Sequence, residues 1–380
     1  MTLEVRLRTA AFFTLSRQHL LERAPRDSAL EVVDEVLGLN AQGALNVQLS
    51  LWNRVAGLET DFIPKALYED RSLVKLWVMR NTVHIIPSKR LPIYHKALEQ
   101  SLTHEWNRWT VKTGTKESAA SWEPSYVKAL NALEHGPMTI KQLQDALGGS
   151  DRESQISLSR LVREMSLKGI LCHTEPSGPW HHPKGYKFAR IDKWLPNIDM
   201  DSVSKDEALT SLVRSYLRAY GPASISDFAY WSGMKVGETK PAFDNLSNSL
   251  VKVTVPENGG KFLILEEDLP ALLEAGEQPA PARLLPCFDA LIMGHKDKSR
   301  FIEPSVMNRV FLPLADVAAT ILMDGRVQGT WTLRKAKKMW RLELSALNML
   351  SENQIDAVEA EVELLRSFTG FDIELTWRKG

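Results

Sequence analysis

Between residues 15 and 67, apolar side chains recur every three to four positions: Leu30, Val33, Val36 and Leu37 in one stretch, then Leu45, Leu49, Trp52 and Val55 in the next. Each set falls on one face of a helix, so the pattern predicts three or four helices, with Asp27-Ser28 opening one and Gly57 closing another. Then the period changes. Leu73-Val74-Lys75-Leu76-Trp77-Val78 and Thr82-Val83-His84-Ile85-Ile86 flank a short polar break, runs suited to a two-stranded ribbon. Helices followed by a ribbon are the element order of a winged helix.

A polar helical stretch from Ser88 loosens at Thr113-Gly114-Thr115, and beyond it the chain repeats itself. Gly136-Pro137-Met138-Thr139-Ile140-Lys141-Gln142-Leu143 and Gly221-Pro222-Ala223-Ser224-Ile225-Ser226-Asp227-Phe228 share Gly-Pro, a hydroxyl three residues after the glycine and an apolar residue seven after it. Both read as helix starts: Thr139 and Ser224 can each accept from the amide three residues on, and Gln142 completes a capping box. A second helix and two strands follow each copy, the later pair turning at Asn258-Gly259-Gly260. The fold expected is α+β, with three tandem winged-helix units at 1–120, 121–200 and 201–278. After Pro279-Ala280-Pro281, residues 279–380 read as a small β-sheet or barrel. Its strands include Leu284-Leu285-Pro286, Ala290–Met293 and Thr320–Met323, with Asp324-Gly325 as a tight turn, a helix from Glu352 to Phe368 and a last strand from Phe371 to Trp377.

Composition narrows the class. The chain has 380 residues, 44% hydrophobic and 25% charged, ordinary for a globular protein of several domains. Lysine plus arginine equals aspartate plus glutamate at 47 each, so overall charge does not point to nucleic acid and any DNA surface has to come from local clusters. Cys172 and Cys287 stand far apart, which fits a reducing compartment without a disulfide framework. No run reaches membrane-spanning length and no leader-like apolar core follows the first basic residues, so a cytoplasmic protein without a membrane partner is expected.

The candidate chemistry lies in Leu37-Gly38-Leu39-Asn40-Ala41-Gln42-Gly43-Ala44, between two predicted helices, which contains no carboxylate, cysteine or histidine. If the chain there is extended, Asn40 and Gln42 point the same way and can reach one small polar target. On spacing alone, the plainer account is two amides satisfying backbone groups in a helix–helix turn. Leu-Gly-Leu-Asn-Ala-Gln, with Leu51-Trp52-Asn53-Arg54 beyond it, resembles the winged-helix DNA glycosylases of the AlkZ-like, crosslink-repair type, which carry Gln-apolar-Gln in the corresponding loop. Asn40 stands for the first glutamine, with the amide kept and one methylene fewer. The resemblance continues in Arg80-Asn81-Thr82-Val83-His84, where the family has glycine for Asn81. It extends through Leu285-Pro286-Cys287-Phe288-Asp289, Asp297-Lys298-Ser299-Arg300, Asp324-Gly325-Arg326-Val327 and Gly329-Thr330-Trp331.

The resemblance implies a monofunctional DNA glycosylase acting on duplex DNA with alkylated bases, associated with the nucleoid, with Asn40 and Gln42 catalytic. His295, Lys298 and Arg300 then match a basic DNA-contacting hairpin, expected here as a tip between two apolar strands. Arg334, Lys335, Lys337 and Lys338 form a second basic cluster, which a solvated turn explains equally well. A different class of function stays open: a non-catalytic DNA-binding regulator or architectural factor that kept the fold while Asn40 lost the activity. Cys172-His173 and His181-His182 match no zinc spacing, and neither metal nor cofactor is expected. His84, Trp52, Trp77 and Trp231 sit at apolar positions and read as core.

Overall fold

A computed structural model describes residues 3–112, 119–178, 180, 185–276, 279–336 and 339–378. The linker expected at Thr113–Thr115 and the pair His181-His182 lie outside the described residues. The chain forms two compact units, one from residues 1–60, 213–231 and 243–380, the other from 61–212 and 232–242, which cut across the four expected segments.

The first unit holds an open sheet in the strand order Arg283–Leu285, Ala319–Met323, Arg326–Ala336, Met339–Ala346, Ile373–Trp377. The pairs are antiparallel except the last, which is parallel. Among the described residues no closed barrel forms, so of the two expected forms the sheet is the one present. The turn at Asp324-Gly325 is as expected: both residues have positive φ, 49° and 77°, the conformation that matches a two-residue turn to the twist of its strands. Ala290–Met293, expected as a strand, is a single helical turn, capped by Asp289 Oδ1, which accepts from Leu291 N at 3.0 Å. Four apolar residues carry no period of their own, and the cap decides their conformation. The helix Glu352–Thr369 starts in a capping box of Ser351 and Gln354 and stops at Gly370, whose φ is 64°. Around this framework Leu15, Leu285, Ile292, Phe301 and Val327 pack in one core cluster. A second cluster joins Phe13 to the hairpin Leu250–Val255 and Gly260–Leu265, on whose edge Leu3–Glu4 pairs in parallel.

In the second unit, strands follow the order Val83–Pro87, Leu73–Trp77, Leu171–Pro176, Tyr186–Arg190, Met138–Thr139. Lys75 lies opposite His173, so the two ribbons expected in separate winged helices share one sheet. Between Leu73–Trp77 and Val83–Pro87 the chain turns through Arg80 and Asn81, with φ of 52° and 58°. Asparagine is among the few residues with a side chain that visit this left-handed region readily, which explains how Asn81 takes a glycine's place.

Both repeat copies start their helices as expected. Gln142 N donates to Thr139 Oγ1 at 3.2 Å while Thr139 N donates to Gln142 Oε1 at 2.9 Å. At the other copy Asp227 supplies the reciprocal carboxylate: Asp227 N donates to Ser224 Oγ at 3.1 Å and Ser224 N to Asp227 Oδ2 at 2.9 Å. Among the described residues, no helix is long and apolar enough to cross a membrane.

Candidate active site

The loop carrying Asn40 and Gln42 is launched by a strained turn. The helix Ala29–Glu35 closes with Leu37 N donating to Asp34 O and Gly38 N to Val33 O, at 3.1 and 2.9 Å. Leu37 and Gly38 both have left-handed φ, 62° and 91°. Glycine does this freely. For leucine the cost is about 1–2 kcal/mol, offset here by a side chain that is almost wholly buried. Leu39–Asn40 is then extended, and the helix Ala44–Trp52 begins after Gly43 with no side chain capping its first amides.

Within the loop the two amides hold each other. Asn40 Nδ2 donates to Gln42 Oε1 at 3.0 Å, and Gln42 N donates to Asn40 Oδ1 at 3.2 Å. The second of these is an Asx turn, which asparagine closes because its oxygen reaches the amide two residues on. Asn40 is half-buried and Gln42 exposed, so the pair fixes Gln42 while leaving the end of its carboxamide in solvent. Such a group can orient a water by accepting from it or donating to it. It cannot take a proton at neutral pH.

The far end of the same helix is its opposite. Arg54 and Asp289 form a bidentate ion pair at 2.7 and 2.8 Å with neither side chain exposed. Ser50 Oγ donates to Asp289 Oδ2 at 2.8 Å, Arg54 Nη1 donates to Ser50 O at 2.8 Å, and Asn53 Nδ2 donates to Leu284 O at 2.9 Å. Trp331 Nε1 donates to Leu285 O at 3.0 Å. The sequence strings around Arg54, Asp289 and Trp331 thus meet in one buried network that seats the helix behind the loop.

The expected basic hairpin around His295 is not on the surface. Ala290–Met293 is helical and no strand follows until Phe311–Leu312, so neither flank can project a tip, and the turn between them folds inward. His295 and Arg300 are buried. Arg300 donates to Pro222 O at 2.6 Å, Thr14 Oγ1 at 3.1 Å and Tyr220 O at 3.3 Å. His295 Nε2 lies 2.7 Å from Tyr220 O, a distance that requires the proton on that nitrogen. Burial, with the Arg300 charge beside it, pushes the imidazole down to about 3 and keeps it neutral. Lys298 donates to Ile292 O at 2.9 Å and to His295 O, and lies 4.4 Å over the Tyr230 ring. These three residues meet carbonyls and rings of their own fold. Arg334 and Lys335, in contrast, are exposed at the distal end of the long Arg326–Ala336 strand. Lys337 and Lys338 lie outside the described residues.

Among the described residues, no group of three or more His, Cys, Asp or Glu side chains is placed to hold a metal. His173 packs instead against Trp77 and Phe188, with ring centroids 4.3 and 4.7 Å apart, and Cys172 is buried with its thiol pushed up to about 12. His84 is a core histidine, moved down to about 4 chiefly by burial. Lys75 was missed by the sequence pattern. Its amine lies 3.6 Å over the Tyr186 ring, and burial lowers it to about 7. The signal was parity: Lys75 shares a strand face with Leu73 and Trp77.

Fold and site together define a two-unit α+β protein whose candidate chemistry is carried by neutral amides on a strained loop. A family described as "DNA glycosylase AlkZ-like" matches residues 33–368. Over 332 residues the chain is 26% identical to the "Interstrand DNA cross-link repair glycosylase" of Streptomyces sahachiroi, covering 83% of this chain and 85% of that protein. The solved structure of the Streptomyces sahachiroi DNA glycosylase AlkZ is alike in fold, with a TM-score of 0.81 at 22% identity over 98% of this chain and 100% of that one. The chain belongs to the AlkZ-like DNA glycosylase family.

Proposed function

We propose that this chain hydrolyses the N-glycosidic bond of cationic N-alkylated purines in duplex DNA, releasing the base to water. The observation that carries the reading is the Asn40–Gln42 pair: neutral, mutually oriented and exposed on a strained turn. An N7-alkylated purine is already a cation and departs without a strong general acid. What remains is to place a water and to stabilise an oxocarbenium-like sugar, which oriented carbonyl dipoles can do. The loop contributes no amine, so the reading is monofunctional, without a covalent intermediate. The relative named for cross-link repair suggests crosslinked purines among the substrates.

We read the two repeats opened by Thr139 and Ser224, and the N-terminal helices with their ribbon, as winged-helix modules on a nucleoid-associated, cytoplasmic protein. Arg334 and Lys335 are the exposed cations to which we assign phosphate contact, with Lys337 and Lys338 next in sequence. A second reading rests on the same amide pair: because Asn40 and Gln42 satisfy each other, the loop is also consistent with a binding protein that performs no chemistry. Incubation with an N7-methylguanine duplex, then heat or alkali to cleave abasic sites, separates the two. Cleavage above the spontaneous rate supports the glycosylase; tight binding without cleavage supports the binding protein.

A further inference from the structure

The turn that presents the amide pair is gripped from behind. Val36 follows the Ala29–Glu35 helix, and its carbonyl accepts from the Tyr220 hydroxyl at 2.9 Å, in a contact that is buried. The next residue is Leu37, in the left-handed conformation, so this bond acts one residue ahead of the reversal that leads to Asn40. Tyr220 is itself held at its carbonyl, which lies 2.7 Å from His295 Nε2 and 3.3 Å from Arg300 Nη1. Its ring stacks on Tyr216 at 5.1 Å and meets His295 edge-on at 6.0 Å. Gly294 completes the seat: a Cβ there would stand 2.4 Å from Tyr220 Cδ1, although the glycine's own φ of −68° suits any residue. The seat therefore needs glycine for the ring's sake and not for the backbone's.

We propose that Tyr220 is a positioning residue for base release, holding Val36 so that the Leu37-Gly38 reversal presents Asn40 and Gln42 in one orientation, with His295, Arg300 and Gly294 holding Tyr220. The inference rests on the reading of Asn40 and Gln42 as catalytic. It gives His295 and Arg300 a part in the site without any contact with DNA. A buried hydroxyl can be removed with little change of packing, so Tyr220→Phe isolates the bond to Val36.

The test uses the full chain. In Tyr220→Phe, hydrogen exchange of the amides from residue 37 to 42 is expected to quicken roughly tenfold, with the Ala44–Trp52 helix unchanged, as loss of one buried hydrogen bond would give. Single-turnover base release is expected to fall roughly tenfold with duplex affinity unaltered, a split that a general loss of fold does not produce. Gly294→Ala acts on the loop only through the Tyr220 ring and is expected to reproduce both effects. Wild-type exchange in both variants, or release from Tyr220→Phe at the wild-type rate, overturns the proposal. A wild-type chain that releases no base counts against the glycosylase reading alone, and the exchange measurement then decides this one.

Discussion

The helix Ala44–Trp52 joins two polar sites that solve opposite problems. Past its C-terminal end, Arg54 and Asp289 are sealed from water, and both oxygens of the carboxylate and both terminal nitrogens of the guanidinium are hydrogen-bonded. Ahead of its N-terminus, Asn40 and Gln42 have chiefly each other, on a turn with a leucine in a costly conformation. A buried ion pair contributes little net stability when intact but is severe to break, whereas an exposed amide pair barely affects folding and is free to meet a ligand. The contrast teaches that the buried ion pair beside this helix serves architecture and that the candidate chemistry ahead of it is left to neutral groups.

The contrast can be broken most directly at its buried end. Asp289→Ala should cost about 3–5 kcal/mol in urea unfolding, because it leaves a guanidinium in the core without its counter-charge. Replacing both partners with apolar residues should recover most of that loss. If Asp289→Ala cost less than about 1 kcal/mol, the pair would not be the anchor described here.

At the exposed end the expectation reverses. Gln42→Ala should lower single-turnover base release on the order of a hundredfold while unfolding free energy changes by less than about 0.5 kcal/mol. Duplex affinity should stay close to wild type. Equal release rates for variant and wild type would remove Gln42 from the chemistry.

Lys75 offers a third case, a buried cation with aromatic rings where Arg54 has a carboxylate. Folded, its amine titrates near 7 against the ordinary 10.5. Between those values the unfolded chain holds a proton that the folded chain does not, so stability should rise with pH through that window. The contribution is about 1.4 kcal/mol per pH unit. Lys75→Met should flatten that rise and stabilise the protein; an unchanged pH profile from 7 to 10.5 would show that the amine reaches water.

The smallest effect concerns the cations that remain outside. Arg334→Ala with Lys335→Ala should flatten the dependence of log affinity on log salt by roughly one to two, at about 0.9 per phosphate contact. Thermal unfolding should hardly move. An unaltered salt slope would place DNA contact elsewhere on the molecule.

What could be read from the sequence was local. The caps at Thr139 and Ser224 and the Asp324-Gly325 turn each depend on a few neighbouring residues and stand where the pattern put them, and the helix expected from Glu352 to Phe368 runs one residue further, to Thr369. Ala290–Met293 was misread because a run too short to show a period is settled by its flanking cap. Lys75 opposite His173, and Arg54 against Asp289, join positions far apart in the chain, and no spacing rule predicts such pairings. His295 and Arg300 were expected on a hairpin tip because the resemblance matched them to a basic, DNA-contacting hairpin; here they turn inward, to the carbonyls of Tyr220 and Pro222. In the candidate site the positions of Asn40 and Gln42 were legible, and their hydrogen bonds to each other were not.

Arg54 and Asp289 also bear on how such a protein can change over generations. They are separated by 235 positions, so a single mutational event will seldom replace both. Losing either one first strands a charge in the interior, and the lineage must survive that intermediate before an apolar pair can take over. The route to a simpler core thus runs through a fitness valley. Drift is freer at Gln42, where a changed side chain meets water and the chemistry can be tuned without threatening the fold.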